Sequence, residues 1–207
     1  MMGKLKKLTG YRLFLPLSCL IIVLLINLIT TPTFFRITIN NGVLYGYIID
    51  VINRASELVV LAVGMTLVVS ASAGTDISVG AVMAVAAAVC TRVLAGGEVS
   101  VNEYANPYVL AVLAALAAAV VCGGFNGLLV AKLKIQPMVA TLILFTAGRG
   151  ISQLVTNGQI TYIRVDGYKL LGNNIPGIPI PTPIFVAVIV VALTYILLKK
   201  TAMGMYI

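Results

Sequence analysis

Asp76 stands alone as an acidic residue between Glu57 and Glu98, within the polar, glycine-flanked insert Gly74-Thr75-Asp76-Ile77-Ser78-Val79-Gly80 that breaks a long apolar run. A carboxylate near hydrocarbon is costly unless it faces protein or a water-filled cavity, which makes Asp76 and its neighbour Ser78 candidates for a polar path. Two readings of the insert stay open and do not exclude each other. One is a discontinuous helix whose freed backbone groups line the path; the other is a tight hairpin in which Asp76 caps the following helix through its side chain. A second constellation is Thr141, Phe145 and Arg149, at i, i+4 and i+8, with Ser152 or Gln153 a turn further on. On a helix these share one side and present a hydroxyl, an aromatic ring, a guanidinium and a further polar group. Arg149 either contacts a solute, pairs with a buried acid such as Asp76, or snorkels to the interface. Thr141 has the alternative of bonding its own backbone, and Asn126 serves either as a helix–helix hydrogen bond or as a ligand contact.

Catalysis by this chain alone is disfavoured. It contains no histidine, the commonest general base and metal ligand. Cys19, Cys90 and Cys122 fall in apolar stretches without Cys-x-x-Cys spacing and read as small packing residues. No Gly-x-x-x-x-Gly-Lys-Ser/Thr phosphate loop occurs, so any ATP hydrolysis belongs to a partner. The expectation is no catalytic residues, no metal and no cofactor.

The elements that must position these residues are apolar helices. The chain is 60% hydrophobic and 10% charged, with a mean hydropathy of +1.09, far from the composition of a soluble domain. Six runs approach the length of about twenty residues needed to span a bilayer, at about 13–33, 58–74, 77–95, 108–131, 135–155 and 183–198. Each run is continuous and rich in Leu, Val and Ala, unlike the alternating strands of a membrane barrel. The expected fold is therefore all-α and polytopic, with about six transmembrane helices in a single domain over residues 1–207. Ala115, Ala119, Gly123 and Gly127 recur every fourth residue and predict a close packing seam.

Lys and Arg set the orientation. Lys4, Lys6, Lys7 and Arg12 precede the first span, Lys132 and Lys134 follow the fourth, and Lys199 and Lys200 end the sixth. Six crossings with the N-terminus inside place all three clusters in the cytoplasm, as the positive-inside rule expects. The outer loops are mixed in charge, with Glu98 and Glu103 in one and Arg164, Asp166 and Lys169 in another. The net charge of +8 thus reflects topology, and no aromatic platform suggests nucleic acid. The N-terminal apolar run exceeds a typical cleaved signal and lacks a small-residue cleavage site, so it reads as a retained helix. Residues 34–56 read as a first outer loop, with a turn at Asn40-Asn41-Gly42 and Tyr45 and Tyr47 near the interface. Residues 156–182 read as a second, carrying Asn157-Gly158, Gly172-Asn173-Asn174, Pro176, Gly177, Pro179, Pro181 and Pro183, extended and open to a soluble partner.

Asn53-Arg54-Ala55, Gly64-Met65-Thr66-Leu67-Val68, the insert from Gly74 to Gly80, Asn126-Gly127-Leu128-Leu129, Gln136-Pro137-Met138-Val139-Ala140-Thr141-Leu142 and Gly148-Arg149-Gly150 follow one another in this order. Together these motifs resemble the ribose/galactose-type permeases of bacterial ABC sugar importers. Ile135-Gln136-Pro137 and the run from Thr146 to Leu154 look most like the galactofuranose-type members. The family's usual Gly-Gly-Ile-Asp-Leu-Ser-Val-Gly is replaced here by Ala73-Gly74-Thr75-Asp76-Ile77-Ser78-Val79-Gly80.

The resemblance implies the N-terminal part of a larger permease fold, because family members run on past the position of Met203-Gly204-Met205-Tyr206-Ile207 into a helix that docks on the ATPase. It further implies a multi-pass subunit of the bacterial inner membrane importing a monosaccharide, with galactofuranose among the candidates. Its partners would be an ABC ATPase, a periplasmic sugar-binding protein, a second permease subunit (homo- or heterodimeric) and membrane lipid. The path candidates are Asp76, Ser78, Asn126, Thr141, Phe145, Arg149 and Gln153. A stand-alone channel or secondary transporter, and a non-functional truncated fragment, are the competing expectations.

Overall fold

A computed structural model of the chain describes residues 14–31, 33–40, 43–165, 167, 168, 172, 178–202 and 204. The basic cluster Lys4, Lys6, Lys7 and Arg12 lies outside the described residues, as do Asn41, Gly42, Asp166, Lys169, Asn173, Asn174, Pro176, Gly177, Met203, Met205, Tyr206 and Ile207.

Six apolar helices make up the described fold: α1 (Phe14–Thr30), α2 (Tyr47–Ser72), α3 (Val79–Ala95), α4 (Tyr108–Ala131), α5 (Pro137–Val155) and α6 (Thr182–Lys200). Short ladders accompany them, β1 (Thr38–Asn40) with β2 (Val43–Tyr45) antiparallel, and β3 (Ser100–Val101) with β4 (Tyr162–Ile163) parallel. Helices α2, α4, α5 and α6 are long and apolar enough to cross a membrane, and α1 and α3 are apolar helices of 17 residues. Seventeen residues rise about 25 Å against a hydrocarbon core of about 30 Å. The fold is thus all-α and polytopic.

The first outer loop is shorter than the sequence suggested. Helix α2 begins at Tyr47, inside the stretch read as loop, because Asp50, Asn53, Arg54 and Glu57 depress hydropathy without interrupting helical hydrogen bonding. Asp50 in the first turn also complements the positive end of the helix dipole. Asn40 is paired with Val43 in the β1–β2 ladder, and Asn41 and Gly42, where the turn was expected, lie outside the described residues. Tyr47 stacks on Phe34 with ring centroids 6.1 Å apart.

Helices α3, α4 and α5 pack as one group and α2 with α6 as another. The first group is centred on Ala81, Val85 and Ala88 of α3, at i, i+4 and i+7, against Ala140, Leu144 and Gly148 of α5 and Ala111 and Leu129 of α4. A Cβ built on Gly148 would lie 3.0 Å from the Cβ of Ala81, so the α3–α5 crossing depends on small residues, as in many membrane interfaces. The expected seam on α4 is different. At Gly123 and Gly127 an added Cβ meets nothing within 4 Å, and the buried face of α4 is Ala111, Asn126 and Leu129. A four-residue repeat marks a face capable of close approach, but at its glycine end no described atom approaches that closely. Helix α1 has no buried residue, and Leu15 and Ile29 are 72% and 79% exposed, as suits a helix whose solvent is lipid.

Loops at one end of the bundle are bonded to each other. Tyr162 N donates to Val99 O at 2.7 Å and Arg164 N to Val101 O at 2.9 Å, which couples the α3–α4 and α5–α6 connections. The C-terminal carbonyls of α3 are satisfied locally by Ala105 N on Leu94 O at 2.9 Å and Asn106 Nδ2 on Val93 O at 2.8 Å. Asn157-Gly158 closes α5 with both residues at positive φ, and Gly158 N reaches back to Gln153 O at 2.7 Å. Tyr168 packs here too, and burial, reinforced by Cys90 and Tyr104, holds its phenol above the ordinary value. Leu44 N donates to Pro179 O at 3.1 Å, which sets the N-termini of α2 and α6 at this same end.

The α3–α5 crossing gives a direct test. Gly148→Leu forces the two helices apart and should destabilise the detergent-solubilised protein by about 1–3 kcal/mol, read as a fall in thermal midpoint. Gly123→Leu, which projects into open space, should leave that midpoint unchanged.

Candidate functional site

The break between α2 and α3 exposes backbone groups that apolar surroundings would leave unpaired. Helix α2 ends with Ala73 in the left-handed conformation at φ 52°, its N–H still bonded to Val69 O. The chain then runs irregularly to Ser78, which is completely buried. Gly74 meets the first residue of α5: an added Cβ would sit 2.6 Å from both Cβ and Cγ of Pro137, so only glycine lets the backbone approach that ring.

Three side chains from different elements satisfy the insert. Asp76 Oδ1 accepts from Ser78 N at 2.7 Å and from Ser78 Oγ at 2.6 Å. Asn126 Nδ2 of α4 donates to Ser78 Oγ at 2.9 Å, and Ile77 N donates to Thr141 Oγ1 of α5 at 3.3 Å. Asp76 is therefore the acceptor of a two-residue turn leading into α3. The N-cap position itself is Ser78, whose side chain makes no capping bond. Asn126 and Thr141 are 7% and 4% exposed, so both bonds are shielded from solvent. Thr141 also donates to Met138 O at 3.3 Å, the backbone bond the sequence left open, while accepting from the insert.

A cavity of 510 Å³ lies beside this network, lined by Val68, Ala71 and Ser72 of α2, Asp76, Gly123, Asn126, Gly127 and Val130 of α4, and Lys134, Pro137 and Thr141. It opens at the end of the bundle where α2 and α4 finish and α3 and α5 begin. Lys132 and Lys134 sit in the α4–α5 turn there, and α6, running parallel to α2, brings Lys199 and Lys200 to the same end. Lys134 holds a positive φ of 56°.

Of the residues singled out in the sequence, Asp76, Ser78, Asn126 and Thr141 thus converge. Phe145 and Arg149 lie one and two turns further along α5, and the Arg149 guanidinium stands 4.6 Å from the Phe145 ring centroid. Arg149 makes no ion pair with Asp76, because its long side chain lies along its own helix surface, where the ring satisfies it. Gln153 is separate again: with Ser152, Thr156, Ala84 and Thr91 it lines a 260 Å³ pocket between α3 and the far end of α5. Sequence reasoning missed Pro137 and Lys134 as parts of the site. Their signal was present in the short stretch Lys134-Ile135-Gln136-Pro137, where proline occupies the start of α5.

Ser78 bonds to both Asp76 and Asn126, so Ser78→Ala leaves the buried Asn126 amide nitrogen without a partner and removes one of the two donors to Asp76 Oδ1. The expected loss is about 1–3 kcal/mol of stability in the purified protein, measured by thermal or denaturant unfolding.

A family model described as branched-chain amino acid transport system / permease component matches residues 47–207. The galactofuranose transporter permease protein YtfT of Escherichia coli (strain K12) is 43% identical over 191 residues, 92% of this chain and 53% of that protein. The fructose import permease protein FruF of Bifidobacterium longum is 36% identical over 211 residues, covering 98% and 56%. The ribose import permease protein RbsC of Escherichia coli (strain K12) is 32% identical over 196 residues, covering 92% and 56%. The chain spans about half the length of these relatives, and no solved structure matches it. Sequence motifs, helical break and family model agree, and the chain belongs to the family of branched-chain amino acid transport system permease components.

Proposed function

We propose that this chain forms part of the transmembrane permease subunit of an ATP-driven, binding-protein-dependent importer of a monosaccharide, galactofuranose being the first candidate. The observation that carries the reading is the break between α2 and α3, where a polar backbone segment is held by Asp76, Ser78, Asn126 and Thr141 beside a 510 Å³ cavity. Irregular backbone at membrane depth is tolerated where it is buried in protein or lines a cavity, the arrangement found at transporter binding sites. Likeness to permeases named for galactofuranose, fructose and ribose supports a sugar as the solute. Neutral sugars need hydroxyl and amide partners in place of water, which this network supplies. Phe145 and Arg149 extend the path along α5, and Gln153 lies near its opposite end.

Residues 1–207 act as one transmembrane permease domain in a bacterial inner membrane, with the N-terminus and the lysine-bearing end in the cytoplasm. An ABC ATPase supplies the ATP hydrolysis for which the chain has no phosphate loop. The opposite end, with its linked β3–β4 loops, faces a periplasmic sugar-binding protein. A second permease subunit covers apolar faces that this chain leaves exposed, such as that around Val120 and Val121.

Reconstitution tests the function. Proteoliposomes holding the complete permease that contains these residues should take up labelled sugar only with the ATPase, ATP and binding protein present. Uptake without the ATPase, driven by an ion gradient, would sink the importer reading.

Orientation is tested with Cys19, Cys90 and Cys122 replaced by alanine. Glu103→Cys should react with a membrane-impermeant maleimide in intact spheroplasts, and Lys132→Cys only after permeabilisation. The reverse pattern would invert the topology.

A further inference from the structure

Asn126 uses only half of its side chain. Its amide nitrogen is committed to Ser78 Oγ, but Oδ1 is buried and has no partner among the described residues. A buried amide oxygen without a donor costs free energy comparable to a lost hydrogen bond, and this one belongs to a residue that lines the 510 Å³ cavity. The terminal torsion of asparagine is broad and soft, so the amide can adjust to a donor that enters the cavity Asn126 lines. What Oδ1 requires is a hydrogen-bond donor.

We infer that the cavity is a binding subsite for a neutral, polyhydroxylated ligand, with Asn126 Oδ1 accepting one specific hydroxyl. The inference rests on the importer reading above and adds to it the residue that selects among hydroxyl positions. Three observations favour this ligand class. The volume falls within the range of about 300–1,000 Å³ usual for small-molecule sites and far exceeds the roughly 30 Å³ of one water. The walls are mostly apolar, from Val68, Ala71 and Val130, with polar groups at Ser72, Asp76, Asn126 and Thr141, which suits a solute that has both C–H faces and hydroxyl edges. The formal charges cancel, since Asp76 and Lys134 are the only ionisable groups in the lining. An anion would meet the Asp76 carboxylate and a cation the Lys134 ammonium, whereas a neutral hydroxyl compound meets neither penalty.

The test uses the complete permease bound to its ATPase in nanodiscs without the binding protein, so that affinity reports the permease alone. Galactose, ribose and fructose serve as probes, and the best of them is compared with its monodeoxyfluoro series, in which fluorine keeps the size of each hydroxyl but cannot donate. One analogue should bind the wild type about tenfold more weakly than its parent. Asn126→Ala should weaken the parent sugar by a similar factor and abolish that discrimination. Gly127→Leu fills the cavity from a position where nothing lies within 4 Å and leaves the Asn126 and Ser78 side chains unaltered in sequence. It should eliminate sugar binding without lowering the thermal midpoint, which guards against misfolding of the asparagine variant. An unchanged discrimination pattern in Asn126→Ala, or sugar binding retained in Gly127→Leu, would overturn the subsite and leave Oδ1 to a trapped water. ATP-driven uptake by a wild type that binds none of the sugars in nanodiscs would overturn it as well while sparing the importer reading. Uptake independent of the ATPase would remove that reading first.

Discussion

Everything around the break depends on the hydrogen bonds of a single buried hydroxyl. The first turn of any helix leaves backbone N–H groups without intrahelical partners, and here that turn lies where water is scarce. Ser78 gives its N–H and its O–H to one carboxylate oxygen of Asp76 and accepts the Asn126 amide, so one residue joins the insert to α4. Thr141 does the same for α5 by accepting Ile77 N. The relative placement of α3, α4 and α5 follows from these few bonds as much as from apolar contact. In lipid, contact alone discriminates weakly between helix arrangements, because acyl chains are as apolar as leucine.

Small residues make that placement possible. Gly74 lets the insert lie against Pro137, and Gly148 lets α3 cross α5 at Ala81. A side chain at either position would push apart the groups that must hydrogen-bond. Packing and polar satisfaction therefore depend on each other: the close approach brings Asn126 and Thr141 within reach, and the bonds fix the register at which the small residues meet. Helix α2 contributes differently, ending at the break and packing on α6.

Much of this was legible from the residues. The bounds of α4 agree with the apolar run, and the four members of the network stood out because polar groups inside apolar spans are few. Other features carried no such signal. The polar start of α2 was hidden because hydropathy measures where a helix is buried and not where it begins. Helical spacing put Thr141, Arg149 and Gln153 on one side, yet α5 runs past different neighbours, so one end of that side meets the insert and the other a separate pocket. The repeat through Gly123 and Gly127 announced a face fit for close approach without saying what approaches it. Two-residue ladders such as β3–β4 are too short to have any periodicity.

The electrostatics of the open end follow from its topology. Helices α2 and α4 finish there and α3 and α5 begin there, so two negative and two positive dipole ends border one cavity. Where helix N-termini alone converge, as in many anion sites, the field selects negative charge. Alternating directions cancel that preference. Asp76 lies just before the positive end of α3, and Lys134 lies just past the negative end of α4, so each charge offsets the dipole nearest to it. What remains in the cavity lining is a set of directional hydrogen-bonding groups with one acidic and one basic side chain among them. On the subsite proposed above, such groups would distinguish solutes by where their hydroxyls lie, the kind of discrimination that separating one monosaccharide from another demands.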